Sequence, residues 1–188
     1  LLRQRWAGNY MTNVTVVPWQ AVCWFQHEQR VEMAGKLKLD YVDRQILRDL
    51  QDDGRMTNVD LADKVGISAP PCLRRVRALE KAGYLTGYHA DVDSAKLGFT
   101  VTVFAMVGLH SQADKDLQAF EELVRSWAEV RECHMLNGDI DFILKCVSED
   151  LSSFQMFLTQ KLTPAPNVAN VKTSLTIRQT KKQPGVPL

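Results

Sequence analysis

The 188-residue sequence has no continuous apolar run near the roughly 18–20 residues that a membrane-crossing helix requires, so no transmembrane helix is expected. It also has almost no net charge. Its 23 Lys and Arg stand against 22 Asp and Glu, a formal balance of +1, so any surface built for an anionic partner has to be local. Metal-site spacing is missing. Cys23, Cys72, Cys133 and Cys146 form no CxxC pair and stand at no zinc-like distance from histidine. The chain is long enough to build a core and carries no convincing secretory segment, so we read these as reduced thiols and expect a cytoplasmic protein. The GxSxG, P-loop, GxGxxG and HExxH arrangements are all absent. Of the four histidines only His134, beside Cys133 and near Asp141, could suggest a Cys/His site, and a strand histidine beside a cysteine is the simpler reading. No enzyme, cofactor or bound metal is expected.

The first 32 residues hold three of the four tryptophans but no clean periodicity. Arg3 and Arg5 resemble the start of a signal segment. Asn9, Thr12, Asn13, Thr15 and Pro18 interrupt the apolar stretch that should follow. We read residues 1–36 as an extension to the folded protein, arising from an over-extended reading frame with Met33 as the natural start. The alternative is an accessory segment that packs its tryptophans on a partner.

From Leu39 the pattern turns helical. Leu39, Val42, Ile46, Leu47 and Leu50 share one face of a 3.6-residue period, with Asp40 as cap and Gly54 as terminator. A shorter helix follows, capped by Thr57 with Asp60 three residues on, and stopped by Gly66. Ser68 then stands as N-cap of a third helix, placing Pro70 and Pro71 in a first turn that tolerates proline. On a wheel of about 100° per residue, Cys72, Val76 and Leu79 form the core stripe. Arg74, Arg77, Lys81 and Pro70 face the opposite way, and Arg75 lies on the flank. Four cations against Glu80 leave this helix at +3. Helix, short helix, tight turn and basic helix is the plan of a helix-turn-helix, whose second helix enters the DNA major groove. Ser68, Pro70, Arg74, Arg75, Arg77 and Lys81 are the candidate DNA-contacting residues. "YLTGYHADVD" after Gly83 reads as a short strand or wing.

The second half alternates differently. "FTVTVFAMVGL" (99–109) is a strand, and Leu117, Phe120, Val124 and Trp127 step along an amphipathic helix. "VRECHML" and "DFILKCV" read as strands joined at Asn137-Gly138, a strong hairpin signal. Leu151, Phe154, Phe157 and Leu158 mark a second helix ended by Pro164, and a final strand alternates from Val171 to Arg178. The order βαββαβ predicts a ferredoxin-like unit and an overall α+β fold. The division expected is a helix-turn-helix domain with linker over 37–98, the ferredoxin-like domain over 99–182 and a tail over 183–188. The face away from the helices carries Phe104, Met106, Ile143 and Val147, too apolar for water, and should pair with another copy.

Residues 39–93 resemble the DNA-binding domain of the leucine-responsive/asparagine regulator (Lrp/AsnC) family. The likeness rests on Leu39-Asp40, Asp43, Ile46-Leu47, Gly54-Arg55, Leu61-Ala62, Ser68, Arg75-Val76, Leu79-Glu80 and Gly83. "LGF", "EV" at 129–130 and "GDIDF" at 138–142 resemble the family's effector domain. The resemblance spans about residues 37 to 182. It implies a transcription regulator that binds double-stranded DNA and forms homodimers and higher assemblies such as octamers. It also implies an amino acid or related metabolite as effector, with Leu136, Gly138, Asp139 and Asp141 as site candidates. Gly138 would let backbone N–H groups approach an α-carboxylate, and a nearby Asp would pair the ammonium. The competing reading is an amino-acid-sensing module that acts through protein partners and has no need of the basic helix.

Overall fold

The computed structural model describes residues 38–183 and 185–188; the expectations about residues 1–36 lie outside them. Three helices come first: α1 (Tyr41–Asp52), α2 (Asn58–Val65) and α3 (Ala69–Lys81). Their starts and stops follow local chemistry. Asp40 and Asp43 cap α1 reciprocally, each carboxylate accepting the other's backbone N–H at 2.9 and 3.1 Å. Thr57 Oγ1 accepts the Asp60 N–H, and α2 ends at Gly66 in the left-handed conformation (φ +72°) that glycine reaches without penalty. The helix ends at Asp52, two residues short of the expected Gly54 stop. Ile46, Leu47, Leu50, Leu61, Ala62, Cys72 and Leu79 close a small core between the three helices.

The second unit is β1 (Val101–Leu109), α4 (Asp114–Arg125), β2 (Val130–Met135), β3 (Phe142–Ser148), α5 (Leu151–Phe157) and β4 (Val168–Leu175). All neighbouring strands pair antiparallel in the order β2-β3-β1-β4, the ferredoxin-like topology that the element order predicts. One face packs on the helices. Val103, Ala105, Val107, Phe142, Leu144 and Cys146 meet Phe120, Val124, Trp127, Phe154 and Phe157 there. The aromatic contacts are edge-on or tilted, with Phe120–Trp127 at 6.3 Å and Trp127–Phe157 at 5.4 Å between centroids.

Three local expectations change. Leu151 was placed on the buried stripe of the second helix but is exposed. Phe154 and Phe157 anchor that helix, and a π-helical turn at Leu158–Leu162 re-phases it so that Leu162 is buried too. Asn137-Gly138 does not form a two-residue hairpin: β2 and β3 are joined by the longer loop 136–141. Gly138 has φ +156° but Asn137 is not left-handed, whereas a type I′ turn needs both. The run after Gly83 carries no strand over 84–93. A strand requires a ladder partner, and none of the described residues provides one there. The segment is instead held back by Tyr88, whose hydroxyl donates to Glu80 at 3.0 Å.

The chain finally returns to α1. Val186 N–H donates to Gln51 Oε1 at 2.7 Å, Gln51 Nε2 donates to Val186 O at 3.0 Å, and Arg48 Nε donates to Leu188 O at 3.0 Å. Leu188 packs against the three-helix core. Gly185 (φ +71°) makes the approach possible, since a Cβ there would collide with the Gln51 side chain.

Candidate nucleic-acid interface and effector loop

α3 carries the basic ridge, and three-helix packing decides where it points. Buried Cys72 and Leu79 turn one face to α1 and α2. Ser68, Pro70, Arg74, Arg77 and Lys81 are exposed on the other, and none of these cations meets an acidic partner among the described residues. Asn58, first residue of α2, donates through Nδ2 to Ala69 O at 2.8 Å and so fixes the leading turn of α3 to the helix before it.

Ser68 occupies the N-cap position in extended geometry but makes no side-chain cap bond. The reason lies in its neighbours. A cap accepts the N–H of the second or third helical residue, and here those are Pro70 and Pro71, which have none. The prolines set the start of the helix and leave the Ser68 hydroxyl free.

Arg75 has a different place from the one expected. Its Nη1 donates to Asp40 Oδ2 and Asp43 Oδ1, both at 2.7 Å, across 35 and 32 residues of sequence. Asp43 is only 5% exposed. The α1 capping box therefore has a second role: one oxygen of each carboxylate caps the backbone, and the other grips Arg75. The Asp43 N–H and then the guanidinium hold the Asp40 carboxyl below its ordinary range, while the hydrogen bonds to Asp43 and Asp40 raise Arg75. Arg75 is thus not an unpaired cation of the ridge as expected: its Nη1 fastens α3 onto the start of α1.

The four effector candidates do not form a single set of free groups. Leu136, Gly138 and Asp139 are exposed on the loop between β2 and β3. Asp141 is 9% exposed, and both of its carboxylate oxygens are occupied. Oδ2 accepts the Leu109 N–H at 2.6 Å and Oδ1 accepts Gln112 Nε2 at 2.8 Å. Its backbone joins the same corner, donating to Val107 O at 3.0 Å and accepting from Leu136 N–H at 2.8 Å. Asp141 therefore ties the end of β1 to the loop, which corrects the expectation that it is available to pair a ligand ammonium. The exposed carboxylate in the loop is Asp139.

The corner has a further clamp that sequence reasoning missed. Asn167, left-handed at φ 67°, accepts the Ser111 N–H at 2.9 Å and donates to Ser111 O at 2.8 Å. Its carbonyl accepts the His110 N–H at 2.9 Å. "PN" before a strand signals a turn, but nothing local names Ser111 as partner.

Cys133 and Cys146 lie across β2 and β3 under the helices, and burial pushes their thiols up to about 11 and about 12. They remain protonated at neutral pH and are poor nucleophiles.

A three-helix unit with an outward cationic ridge, joined to a one-sided βαββαβ sheet, defines a helix-turn-helix regulator with an attached sensing module. Comparison with known proteins agrees for both parts. Residues 39–86 match the family model "Winged helix-turn-helix DNA-binding", and residues 102–186 match "Lrp/AsnC ligand binding domain". A leucine-responsive regulatory protein from Rhizobium meliloti is 54% identical over 149 residues, 79% of this chain and 96% of that protein. The Bkd operon transcriptional regulator of Pseudomonas aeruginosa is 41% identical, over 80% of this chain and 99% of its own. A transcriptional regulator from Neisseria meningitidis, solved with L-Met, superposes with TM-score 0.76 at 32% identity, covering 80% of this chain and 97% of its own. An AsnC family regulator from Agrobacterium tumefaciens gives TM-score 0.75 at 32% identity, with 79% and 97% covered. The chain belongs to the Lrp/AsnC family: it is a transcription regulator with a DNA-binding helix-turn-helix and a ligand-binding domain, not an enzyme.

Proposed function

We propose that the protein acts as a homodimer or larger homo-oligomer that binds duplex DNA through the outward face of α3 and changes its assembly or DNA affinity when an amino acid occupies the loop 136–141. The observation that carries this reading is the exposed ridge of Ser68, Pro70, Arg74, Arg77 and Lys81, held outward by a helix whose back is buried. Arginine in that setting offers bidentate contact to guanine edges or anchorage to phosphates.

Pairing of two copies is supported by the bare side of the sheet. Phe104 is 37% exposed there, with Met106, Ile143 and Val147 half-buried beside it. Covering this face with a second sheet would remove the apolar surface from water and present two ridges to a two-fold site. The effector reading is supported by the loop's exposed Asp139 and by Gly138, and by the L-Met held by the Neisseria relative. The domain boundaries given above, 37–98 and 99–182, follow from the same division of labour.

Two measurements test the reading. Fluorescence anisotropy on random-sequence duplex should give binding that weakens steeply with added salt. No binding at low salt would return the chain to the protein-partner alternative. A thermal-shift screen of the amino acids should raise Tm for at least one. Ligand at a hundredfold excess over its Kd stabilises the native state by about 2.7 kcal/mol, and a flat screen would remove the effector loop from the proposal.

A further inference from the structure

The leading end of α3 is chemically unusual for a helix that meets DNA. A helix N-terminus ordinarily offers free N–H groups that hold a phosphate. Pro70 and Pro71 have none, and the Cys72 N–H already donates to Ser68 O at 3.2 Å, leaving only that of Ala69 in the first turn. Phosphate anchoring must come from side chains further along. What this end presents instead is hydrocarbon. Leu73 is 38% exposed, the one large apolar side chain on α3 that faces solvent. At about 100° per residue, Pro70, Leu73 and Arg77 fall within about 60° of one another, and Arg74 lies on the far side of Pro70. Leu73 therefore sits on the flank of the cationic ridge, between Pro70 and Arg77 on one side and the half-buried Val76 on the other, with its side chain open to solvent.

One base-edge group in the major groove is apolar, the C5-methyl of thymine. We propose that Leu73, shouldered by the Pro70 ring, reads a thymine methyl in each half-site, while Arg74 and Arg77 take guanine edges or phosphates around it. This rests on the reading that α3 enters the major groove, and it adds a base preference that the cations cannot supply. It also accounts for a leucine where a solvated basic helix would carry a polar residue.

The test begins with duplexes enriched from a random pool by the full chain. Each thymidine in the enriched site is then replaced singly by deoxyuridine, which removes only the methyl group. At one position per half-site the wild-type affinity should fall about fourfold, the factor that corresponds to burying one methyl-sized group. Leu73→Ala should bind the thymine duplex with a comparable loss and show no further loss with deoxyuridine at that position. Leu73→Met should keep the preference. Wild-type protein indifferent to deoxyuridine everywhere would overturn the assignment while leaving DNA binding standing. So would an undiminished deoxyuridine penalty in Leu73→Ala. Failure of the wild type to bind any duplex at low salt would remove the groove reading itself, and this assignment with it.

Discussion

Replacing Arg75 by Ala separates a fold-holding arginine from a DNA-holding one. The guanidinium bridges two carboxylates at 2.7 Å each, one of them almost wholly buried. Removing it leaves Asp43 Oδ1 without its cation. Breaking a fully buried pair costs about 3–5 kcal/mol, and an exposed pair is worth about 0–1 kcal/mol. The Arg75 side chain is 35% exposed, so its contribution falls between, at about 1–3 kcal/mol. Urea denaturation followed by far-UV circular dichroism should show that loss, with the transition of the helical unit moving to lower denaturant. A double-mutant cycle with Asp43→Asn should recover most of it as coupling. DNA affinity of the folded fraction should fall much less than in Arg74→Ala. The reasoning is refuted if Arg75→Ala unfolds at wild-type urea concentration yet loses DNA binding as severely as its neighbour.

Arg74→Ala with Arg77→Ala should leave the unfolding midpoint within about 0.5 kcal/mol of wild type. It should also reduce the slope of log affinity against log salt by about one for each arginine that meets a phosphate, read by anisotropy over a salt series. Asp40, held by the Asp43 N–H and by Arg75, predicts acid sensitivity. Asp40 has its carboxyl lowered in the fold, so its contribution is complete above the ordinary value of 3.8 and is lost as pH falls through the lower folded value. Melting from pH 6 down to 2 should show that component in wild type and a smaller one in Arg75→Ala, where the Asp43 N–H still holds the Asp40 carboxyl down. Asp141→Ala should destabilise the sheet domain by about 1–3 kcal/mol by orphaning the Leu109 N–H and the Gln112 amide. A purely ligand-contacting Asp141 would instead leave Tm unchanged in the absence of amino acid. Gly185→Val should release the tail from α1, seen as faster hydrogen exchange of the Val186 amide.

What could be read directly in the residue order is what depends on near neighbours. Asp40, Thr57 and Gly66 mark helix ends within one turn, and the 3.6-residue stripe of Ile46, Leu47 and Leu50 names a buried face. Strand alternation in β1 and β3 likewise follows from a period of two. Hence the helix-turn-helix, the βαββαβ order and the basic ridge were all legible, and the family resemblance was carried by the same residues. Tertiary structure decided the rest. Arg75 and Asp141 look like ligand-binding charges in a one-dimensional reading because their partners lie 29 to 35 residues away. The loop 136–141 is shaped by its hydrogen bonds to the end of β1, which overrule a local Asn-Gly preference. Ser68 is a cap by position only, since two prolines deprive it of donors. Whether a charged group serves the fold or the ligand depends on which distant group the packed chain brings to it, and residue spacing along a strand or helix holds no record of that distance.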